Sequence, residues 1–462
     1  MVEIDAGATP IENSDNTEVI PTPAEPEAVQ SCKNLLRSGC YRIAVFMPGT
    51  EQIMFAGTLR VDPQLSTASN VYIISGDLYY NNYVNTTYPE LGSSQEIPVY
   101  LRNQYHSYLK AAKIKIPAKV PVGKPCTITL EMEQFRYMHP EGDVSHNGTF
   151  VMSPNNNIII NLQKSGNNIY RGSWSGNETG DVIMEWVSDY FRKAVIRIDV
   201  VKGAAALPKS IIQNGVPVSL ETTFATAGWE VQVHQSDDQL DLPEDIQKEK
   251  DQRQRDPDAP VPGWTNDRLH DLMDAVNPLS LDNSWGYHVL LVPFCWKSDA
   301  NVPNYDLLGA MYDDRVPYRQ GSAIFYSTLQ LKGHDHDLAY LRIAAHEIGH
   351  GFNMPHPRYS DYDNSIMTES GWLVNNIDYP DGIYFGFNAE YRKHMVHRPD
   401  PFVRPGCMKH INSWLTAQDT PLSSAIELDD SSVNPNITLD VAGSKTPASA
   451  PFNKPLNEGE GS

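Results

Sequence analysis

The segment from His346 to His356 constrains this chain more than any other part of its 462 residues. Residues four apart lie on one face of an α-helix, so His346 and His350 can direct their imidazoles at one ion. His356 cannot share that face of a straight helix, so the backbone must leave the helix after His350 and turn back. Gly351 and Asn353 lie where this turn is needed. The spacing therefore predicts a helix, a turn and three convergent imidazoles.

Glu347 lies beside this cluster without being one of its ligands. Three neutral imidazoles typically hold a catalytic zinc ion, which keeps one position open and lowers the pKa of a bound water to about 7. Glu347 is placed to accept a proton from such a water. These residues could instead be ordinary positions of a helix. However, Leu338, Leu341 and Ile348 give the helix an apolar face, and His356 has the required spacing, so a zinc hydrolase site is favoured.

A methionine follows eleven residues after His356, behind a polar stretch rich in turn-forming residues. Met367 could form an apolar floor under the metal. With this methionine the chain resembles the metzincin clan of zinc endopeptidases, whose pattern is HExxHxxGxxH followed by a tight turn containing Met. The resemblance implies that the histidines at 346, 350 and 356 bind Zn²⁺ and that Glu347 is the general base and acid. It also implies that Met367 supports the site.

Two positions depart from the metzincin pattern. Asn353 stands where the family has a glycine at positive φ, and we expect it to support the turn because asparagine tolerates that conformation best among other residues. Glu369 stands two residues after Met367, where some metzincin families have a tyrosine that binds zinc or stabilises the oxyanion. The sequence leaves that role unassigned. Tyr359 and Tyr362 are candidates, and either could equally be an ordinary loop aromatic.

Residues 195–414 fit the catalytic domain that the resemblance implies. That domain has an α+β fold, in which a mixed twisted sheet carries the active-site helix. Alternating or continuous apolar residues predict strands at 195–201, 229–233, 287–294 and 321–327. Capping residues predict helices after Ser219, Thr265 and Asn388. By resemblance, a protein or peptide substrate would bind extended along a sheet edge.

Within this domain, residues 236–262 have almost no apolar periodicity and are rich in charged residues and proline. This composition predicts an exposed insertion. Its charge is expected to be solvated.

Residues 32–190 have the pattern of a separate, β-rich domain. Short apolar strands are separated by Gly, Asn, Pro and Ser, which predicts an all-β sandwich or barrel. The predicted strands lie at 41–47, 53–61, 71–79, 127–137, 158–162 and 181–186. Trp174 and Trp186 could line a carbohydrate or peptide surface, although packing is the commoner use of aromatic side chains.

Both ends of the chain have compositions typical of disorder. Residues 1–31 are acidic and rich in proline, and residues 415–462 are rich in Ser, Asn, Pro and Asp. The first segment could be a linker or a removable pro-segment. A zinc-blocking thiolate could come from Cys32, and a structural or free cysteine is the alternative. With five cysteines in the chain, Cys32 and Cys40 could also pair locally.

The charge balance argues against one class of partner. A formal net charge of -21 and a pI near 5.0 disfavour binding to nucleic acid or anionic membranes, because phosphate attraction needs clustered Lys and Arg. The sequence contains no apolar run of about 18 residues and therefore predicts no membrane span. No signal peptide is visible, although the resemblance implies an extracellular enzyme. The compartment and the oligomeric state stay open.

Two other segments could hold metal ions. Residues 333–337, with the sequence GHDHD, could bind a second Zn²⁺ or form a polar loop that caps the motif helix, with Asp337 as the N-cap. Asp361, Asp363 and Asn364 could coordinate a structural Ca²⁺ or simply form the turn before Met367.

The sequence therefore favours hydrolysis of peptide bonds by water activated at a single catalytic Zn²⁺. The alternative is a zinc-stabilised binding protein whose β-domain recognises a protein or glycan ligand. Glu347 argues against this alternative, because a structural zinc site needs no general base. A narrower hypothesis limits hydrolysis to one partner protein or to the pro-segment of the same chain.

Overall fold

The computed structural model describes residues 29–32, 35–63, 71–80, 96–117, 119–139, 148–276, 285–298, 302–313, 315–411, 413, 418 and 420–427. Its strands are β1 (Val29–Ser31), β2 (Gly39–Phe46), β3 (Ile53–Pro63), β4 (Val71–Tyr80), β5 (Tyr105–Lys115), β6 (Lys119–Pro121), β7 (Thr127–Met138), β8 (Thr149–Phe150), β9 (Asn156–Lys164), β10 (Ile169–Ser175), β11 (Thr179–Ser188), β12 (Arg192–Val201), β13 (Ile211–Gln213), β14 (Val216–Val218), β15 (Trp229–Leu240), β16 (Gly263–Trp264), β17 (Gly286–Val292), β18 (Cys295–Lys297), β19 (Pro303–Asn304), β20 (Gly309–Ala310), β21 (Gly321–Phe325) and β22 (Ile426–Glu427). Its helices are α1 (Leu220–Ala225), α2 (Glu244–Arg255), α3 (Asn266–Val276), α4 (Tyr326–Lys332), α5 (Asp337–Gly351), α6 (Ser370–Asn376), α7 (Ala389–His397) and α8 (Asp400–Val403). None of the described helices is long and apolar enough to cross a membrane.

Antiparallel strands in the N-terminal half close into a barrel, which we call the barrel domain (residues 39–188). Each of β2, β3, β4, β5, β7, β9, β10 and β11 pairs with the next, and β11 returns to β2. Alternate side chains such as Ile43, Leu59 and Ile160 are fully buried in one apolar core. Trp174 belongs to this core and Trp186 packs against it, so both rings help to stabilise the barrel.

The C-terminal half, which we call the sheet domain (residues 192–411), is built on a five-stranded sheet in the order β15-β12-β17-β21-β20. The first four strands are parallel, and β20 runs antiparallel to β21 at the edge. Strand β17 is buried along its whole length because helices cover both faces of the sheet. Helices α1 and α5 contribute to the core on one face, and α2 and α3 contribute to the core on the other.

The segment predicted as an exposed insertion, 236–262, contains regular structure, since strand β15 continues to Leu240 and helix α2 follows. Helix α2 has one fully buried apolar side chain, Ile246, and so shows no apolar periodicity. It is also held to its neighbours by charge, since Glu249 lies 2.7 Å from Arg268 and 3.0 Å from Lys297. Isolated ion pairs of this kind leave no periodic signal in a sequence.

The prediction of a disordered C-terminal tail is wrong for residues 420–427, which pack on the barrel domain. The Ser423 hydroxyl donates a hydrogen bond to the carbonyl of Ile74 at 2.9 Å, and β22 pairs with β4. These contacts use mainly the backbone, so they need no apolar pattern. The rest of the tail after 427, and residues 1–28 at the other end, lie outside the described residues.

The cysteine pairing differs from the local bridge considered above. Cys32 forms a disulfide with Cys126, which ties the strand β1 segment to the barrel domain. Cys40 is a buried free thiol. Cys32 therefore serves a structural purpose here and has no thiolate to offer to a zinc ion.

A buried charge network joins the two domains at the start of α8. Arg192 of β12 lies 2.8 Å from Asp400, and Arg60 of β3 lies 2.6 Å from Asp77 of β4. The Tyr79 hydroxyl donates to Asp400 at 2.6 Å. Removing one member of such a network leaves another charge buried and unpaired, which is costly. The barrel domain therefore takes part in fixing α8.

Candidate metal centre

Helix α5 carries the first two predicted ligands and then ends at Gly351. Asn353 adopts a φ of 63°, and this left-handed residue turns the chain back so that His356 meets His346 and His350. Gly351 was expected to allow the turn after the helix, but its φ is not positive. A Cβ there would lie 2.1 Å from the ring of Tyr287, so close packing requires this glycine.

The three imidazoles converge through their Nε2 atoms. The Nε2 of His346 lies 3.1 Å from that of His350 and 3.0 Å from that of His356, and the last two are 3.1 Å apart. A tetrahedral zinc ion with Zn–N distances of about 2.0–2.1 Å has ligand nitrogens about 3.3 Å from one another. The triangle is close to that size, so these residues fit a zinc ion.

Each ligand has an acceptor for the proton on its other ring nitrogen. The Nδ1 of His346 donates to the carbonyl of Ile366 at 2.9 Å, and that of His350 donates to Met354 at 2.7 Å. The Nδ1 of His356 lies 3.1 Å from Glu369. Such partners leave the free lone pair of each imidazole on Nε2, where it would face a bound metal ion. Desolvation holds the pKa of both His346 and His350 well below the usual range, which keeps them neutral and able to bind.

Glu347 is buried against the edge of the sheet, with 7% of its surface exposed. Burial raises the pKa of this carboxyl to about 8, although a hydrogen bond from the backbone of Met311 acts in the opposite direction. The side chain also packs closely on β20, since a Cβ on Gly309 would lie 2.6 Å from Cγ of Glu347. Strand β20 therefore sets the position of the expected general base.

A cleft of about 610 Å³ opens over these residues. One side is formed by residues 306–311, which include strand β20, and the floor by helix α5. The other lining residues are Pro355, Glu369, Ser370, Gly371 and His410. A cleft of this size, with the three histidines on its floor, can admit part of a polymeric substrate.

Met367 is fully buried below the cluster, in a turn that we call the Met turn (residues 363–368). Its sulfur packs against helix α5 so closely that a Cβ on Gly349 would lie 2.3 Å away. Arg342, one turn before His346, crosses from the helix to this turn. Its guanidinium donates to the carbonyls of Ile366 and Thr368, and to the hydroxyl of Ser370 at 2.6 Å. Arg342 thus ties the Met turn to the ligand helix.

The two tyrosines considered for the oxyanion role lie apart from the histidine cluster. Tyr359 is 80% exposed, and the Tyr362 hydroxyl donates to Glu369. Neither tyrosine is among the described residues that line the cleft.

Several of the side chains at 333–337 and 361–364, which the sequence offered as further metal ligands, have protein partners. Asp363 accepts hydrogen bonds from the Ser365 backbone and the Asn388 side chain, at 2.9 Å each, and so stabilises the Met turn. His334 packs its ring against Tyr379. Among the described residues, a group suited to a metal ion occurs only at the three ligand histidines. The N-cap of α5 is His336 and not the predicted Asp337. Asp337 is the first residue of the helix.

Comparisons of the chain with models of known protein families, with characterised proteins and with solved structures found no match. The residues that the sequence pattern did not assign, Arg342, Glu369 and His410, reach the site through tertiary contacts. Arg342 and Glu369 lie near the motif in the sequence, and this position is their only signal there. His410 has no such signal.

Proposed function

We propose that this protein is a zinc-dependent endopeptidase with a metzincin-like site. The observation that carries the proposal is the set of three convergent Nε2 atoms beside a buried Glu347 carboxylate, on the floor of an open cleft. A zinc ion that only stabilises a fold is usually closed off by four protein ligands. It also needs no carboxylate beside it, so the arrangement favours catalysis over the binding-protein alternative.

Glu347 would carry the proton in this mechanism. A zinc ion bound by the three imidazoles would polarise the scissile carbonyl and make water more acidic. Glu347 accepts a proton from the attacking water and then delivers it to the leaving amine. The histidines need no protonation change, and no covalent acyl-enzyme is required.

Strand β20 is the element that supports an extended peptide as the substrate. It runs antiparallel at the edge of the five-stranded sheet, and Gly309 and Ala310 line the cleft beside Glu347. A peptide that adds to such an edge binds through main-chain hydrogen bonds, which every peptide sequence can form. Side-chain pockets along the cleft would then set the preference. The proposed substrate class is therefore proteins or peptides that can become extended.

The test is cleavage of a mixed peptide library by purified protein of measured zinc content. Glu347→Gln keeps the shape of the side chain and the three ligands but removes the base. Cleavage should fall by at least about 100-fold, because general base catalysis contributes factors of this size. Zinc content should stay unchanged. Glu178→Gln, an exposed position on the barrel domain, is the matched control and should cleave like the wild type.

Each other result has a defined meaning. Equal cleavage by wild type and Glu347→Gln contradicts the catalytic assignment. A wild-type protein that holds zinc and cleaves no peptide contradicts the general endopeptidase and favours a zinc-stabilised binding protein.

A further inference from the structure

Three aromatic side chains lie beside the cleft, and we call them the aromatic rim (Tyr359, Tyr362 and Trp372). The ring centroids of Tyr359 and Tyr362 are 5.2 Å apart, and those of Tyr362 and Trp372 are 5.8 Å apart. We propose that the aromatic rim binds a bulky apolar side chain of the peptide substrate, at a fixed position on one side of the scissile bond. This inference rests on the proposed endopeptidase function and names a substrate feature that function leaves open.

Glu369 connects the aromatic rim to the cleft. Its side chain lines the cleft, lies 3.1 Å from Nδ1 of His356 and accepts a hydrogen bond from the Tyr362 hydroxyl. Trp372 follows Gly371, another lining residue, in helix α6. The rings are therefore one carboxylate away from the histidine cluster. An extended peptide advances about 3.3 Å per residue, so a residue about three positions from the scissile bond can reach the aromatic rim.

The aromatic rim offers accessible surface to a ligand. Tyr359 is 80% exposed, which makes it the most exposed large hydrophobic side chain among the described residues. Tyr362 and Trp372 are partly exposed as well. Single exposed hydrophobic residues are common on protein surfaces, whereas a group of them in mutual contact beside a cleft is typical of a binding site. The three rings form such a group.

These rings are held in place before a substrate arrives. Tyr362 is fixed by its hydrogen bond to Glu369, and Trp372 belongs to helix α6. Tyr359 begins a short 3-10 turn (Tyr359–Asp361) and packs on Tyr362. Tyrosine and tryptophan side chains have few rotatable bonds for their area, so a fixed group of them loses little conformational entropy on binding.

The charges around the aromatic rim favour an apolar side chain over a charged one. Arg358 and Asp361 flank Tyr359, are both exposed and have opposite charges. The Glu369 carboxylate already has His356 and the Tyr362 hydroxyl as partners. No single sign of charge therefore prevails at these positions, and ring contact with an apolar side chain is the interaction that the aromatic rim supports best.

The first experiment is a double-mutant cycle between enzyme and substrate. The peptide library identifies the position at which the wild type prefers Phe, Leu or Trp and Tyr359→Ala does not. The value of kcat/KM is then measured for both enzymes with a peptide that has Phe there and with the same peptide that has Ala there. With the Phe peptide, Tyr359→Ala should lose about tenfold, the size expected for one aromatic contact. With the Ala peptide, the two enzymes should agree within about twofold.

The controls separate ring contact from other effects. Tyr359→Phe keeps the ring and loses only the hydroxyl, so it should cleave the Phe peptide like the wild type. Tyr190→Ala removes a tyrosine that is 37% exposed in the connection from β11 to β12, and it should also match the wild type. Since Tyr359 is so exposed, its replacement should leave the melting temperature and the zinc content unchanged.

Three results would overturn the proposal. Equal losses of Tyr359→Ala on the Phe and Ala peptides would mean that Tyr359 does not contact that side chain. A loss in Tyr359→Phe as large as in Tyr359→Ala would mean that the hydroxyl, and not the ring, binds the substrate. A preference for Lys or Arg that depends on Tyr359 would mean that the aromatic rim binds a cation.

A binding measurement gives a readout without turnover. Glu347→Gln should bind the uncleaved Phe peptide about tenfold more tightly than a variant that combines Glu347→Gln with Tyr359→Ala, as measured by calorimetry. Equal affinities would contradict the proposed contact.

The failure of this inference differs from the failure of the proposed function. If the wild type cleaves, Glu347→Gln does not, and the cycle shows no coupling, only the role of the aromatic rim is refuted. If the zinc-loaded wild type cleaves no peptide, the endopeptidase assignment is refuted, and the role of the aromatic rim with it.

Discussion

The Glu369 carboxylate lies 3.1 Å from Nδ1 of His356, so an acidic residue orients the most exposed of the three clustered histidines. A carboxylate partner fixes the tautomer of a ligating histidine and makes its other nitrogen a stronger ligand. His346 and His350 use backbone carbonyls for the same purpose. Glu369 therefore has a role in orienting His356. Its position two residues after Met367 did not indicate this role.

Replacing Glu369 should weaken zinc binding more than it affects the fold. In Glu369→Ala, the imidazole of His356 loses its partner, and loss of such a partner typically costs 10- to 100-fold in metal affinity, or about 1.4–2.7 kcal/mol. Competition with a chromogenic chelator measures this affinity. Asp306→Asn is the control, because Asp306 also lines the cleft but pairs with Lys332 at 2.5 Å. Equal zinc affinity of Glu369→Ala and wild type would refute the role.

Gly309 should be intolerant of a single added methyl group. A Cβ at this position would lie 2.6 Å from Cγ and 2.8 Å from Oε1 of Glu347, so Gly309→Ala must displace the general base or strand β20. We expect a loss of peptide cleavage of at least about tenfold, because small misplacements of catalytic groups are costly. Zinc affinity should change little, since no ligand is touched.

The control for this variant lies across the same cleft. Gly371 also lines it, but a Cβ there would meet no atom within 4 Å. Gly371→Ala should therefore cleave like wild type. If Gly309→Ala and Gly371→Ala cleave peptide equally well, the close approach of Gly309 to Glu347 does not affect catalysis.

Arg342 should be irreplaceable by lysine. Its planar guanidinium reaches the carbonyls of Ile366 and Thr368 together with the Ser370 hydroxyl, whereas one ammonium group cannot match that geometry. Leaving buried carbonyls unsatisfied costs about 1–3 kcal/mol, so Arg342→Lys should lower the melting temperature of both the metal-free and zinc-loaded protein. Arg358→Lys, at an exposed position of the same loop region, should leave the melting temperature unchanged.

The sequence predicted the local geometry of the three histidines and missed the contacts made by distant segments. The spacing of His346 and His350 is a property of one helix, and the positive φ of Asn353 follows from residue type. By contrast, the contacts of Asn353 with Phe402 and Ile411 depend on how two separated segments pack. No periodicity in the chain reports such packing.

The same distinction applies to the fold. Strand β17 and helix α3 were predictable because continuous or helically spaced apolar residues mark them. Helix α2 was not, because it is held by ion pairs and one buried isoleucine, Ile246. The closure of the barrel could not be predicted from the sequence either. It depends on the pairing of β2 with β11, which lie at opposite ends of that domain.

Protonation of His397 should destabilise the contact between the two domains. This histidine is fully buried, with Nδ1 at 2.9 Å from the Ser75 hydroxyl and Nε2 at 3.1 Å from Asp62. Burial lowers the pKa of His397 to about 4, although Asp62 acts in the opposite direction. An unfolded histidine titrates near pH 6.5, so the unfolded state binds more protons between that pH and 4. The stability that His397 contributes is therefore complete above about pH 6.5 and is lost as the pH falls towards 4.

Chemical denaturation near pH 7 and near pH 5 measures this contribution. The wild type should lose about 2 kcal/mol of unfolding free energy over that interval through His397, since one pKa unit corresponds to 1.36 kcal/mol. His397→Gln cannot take up a proton and should lose correspondingly less between the same two conditions, even if it is less stable near pH 7. His336→Gln, at an exposed position, should keep the wild-type difference. If His397→Gln loses as much stability as wild type on acidification, His397 stays uncharged or is charged without cost, and the barrel contact is not the acid-sensitive element.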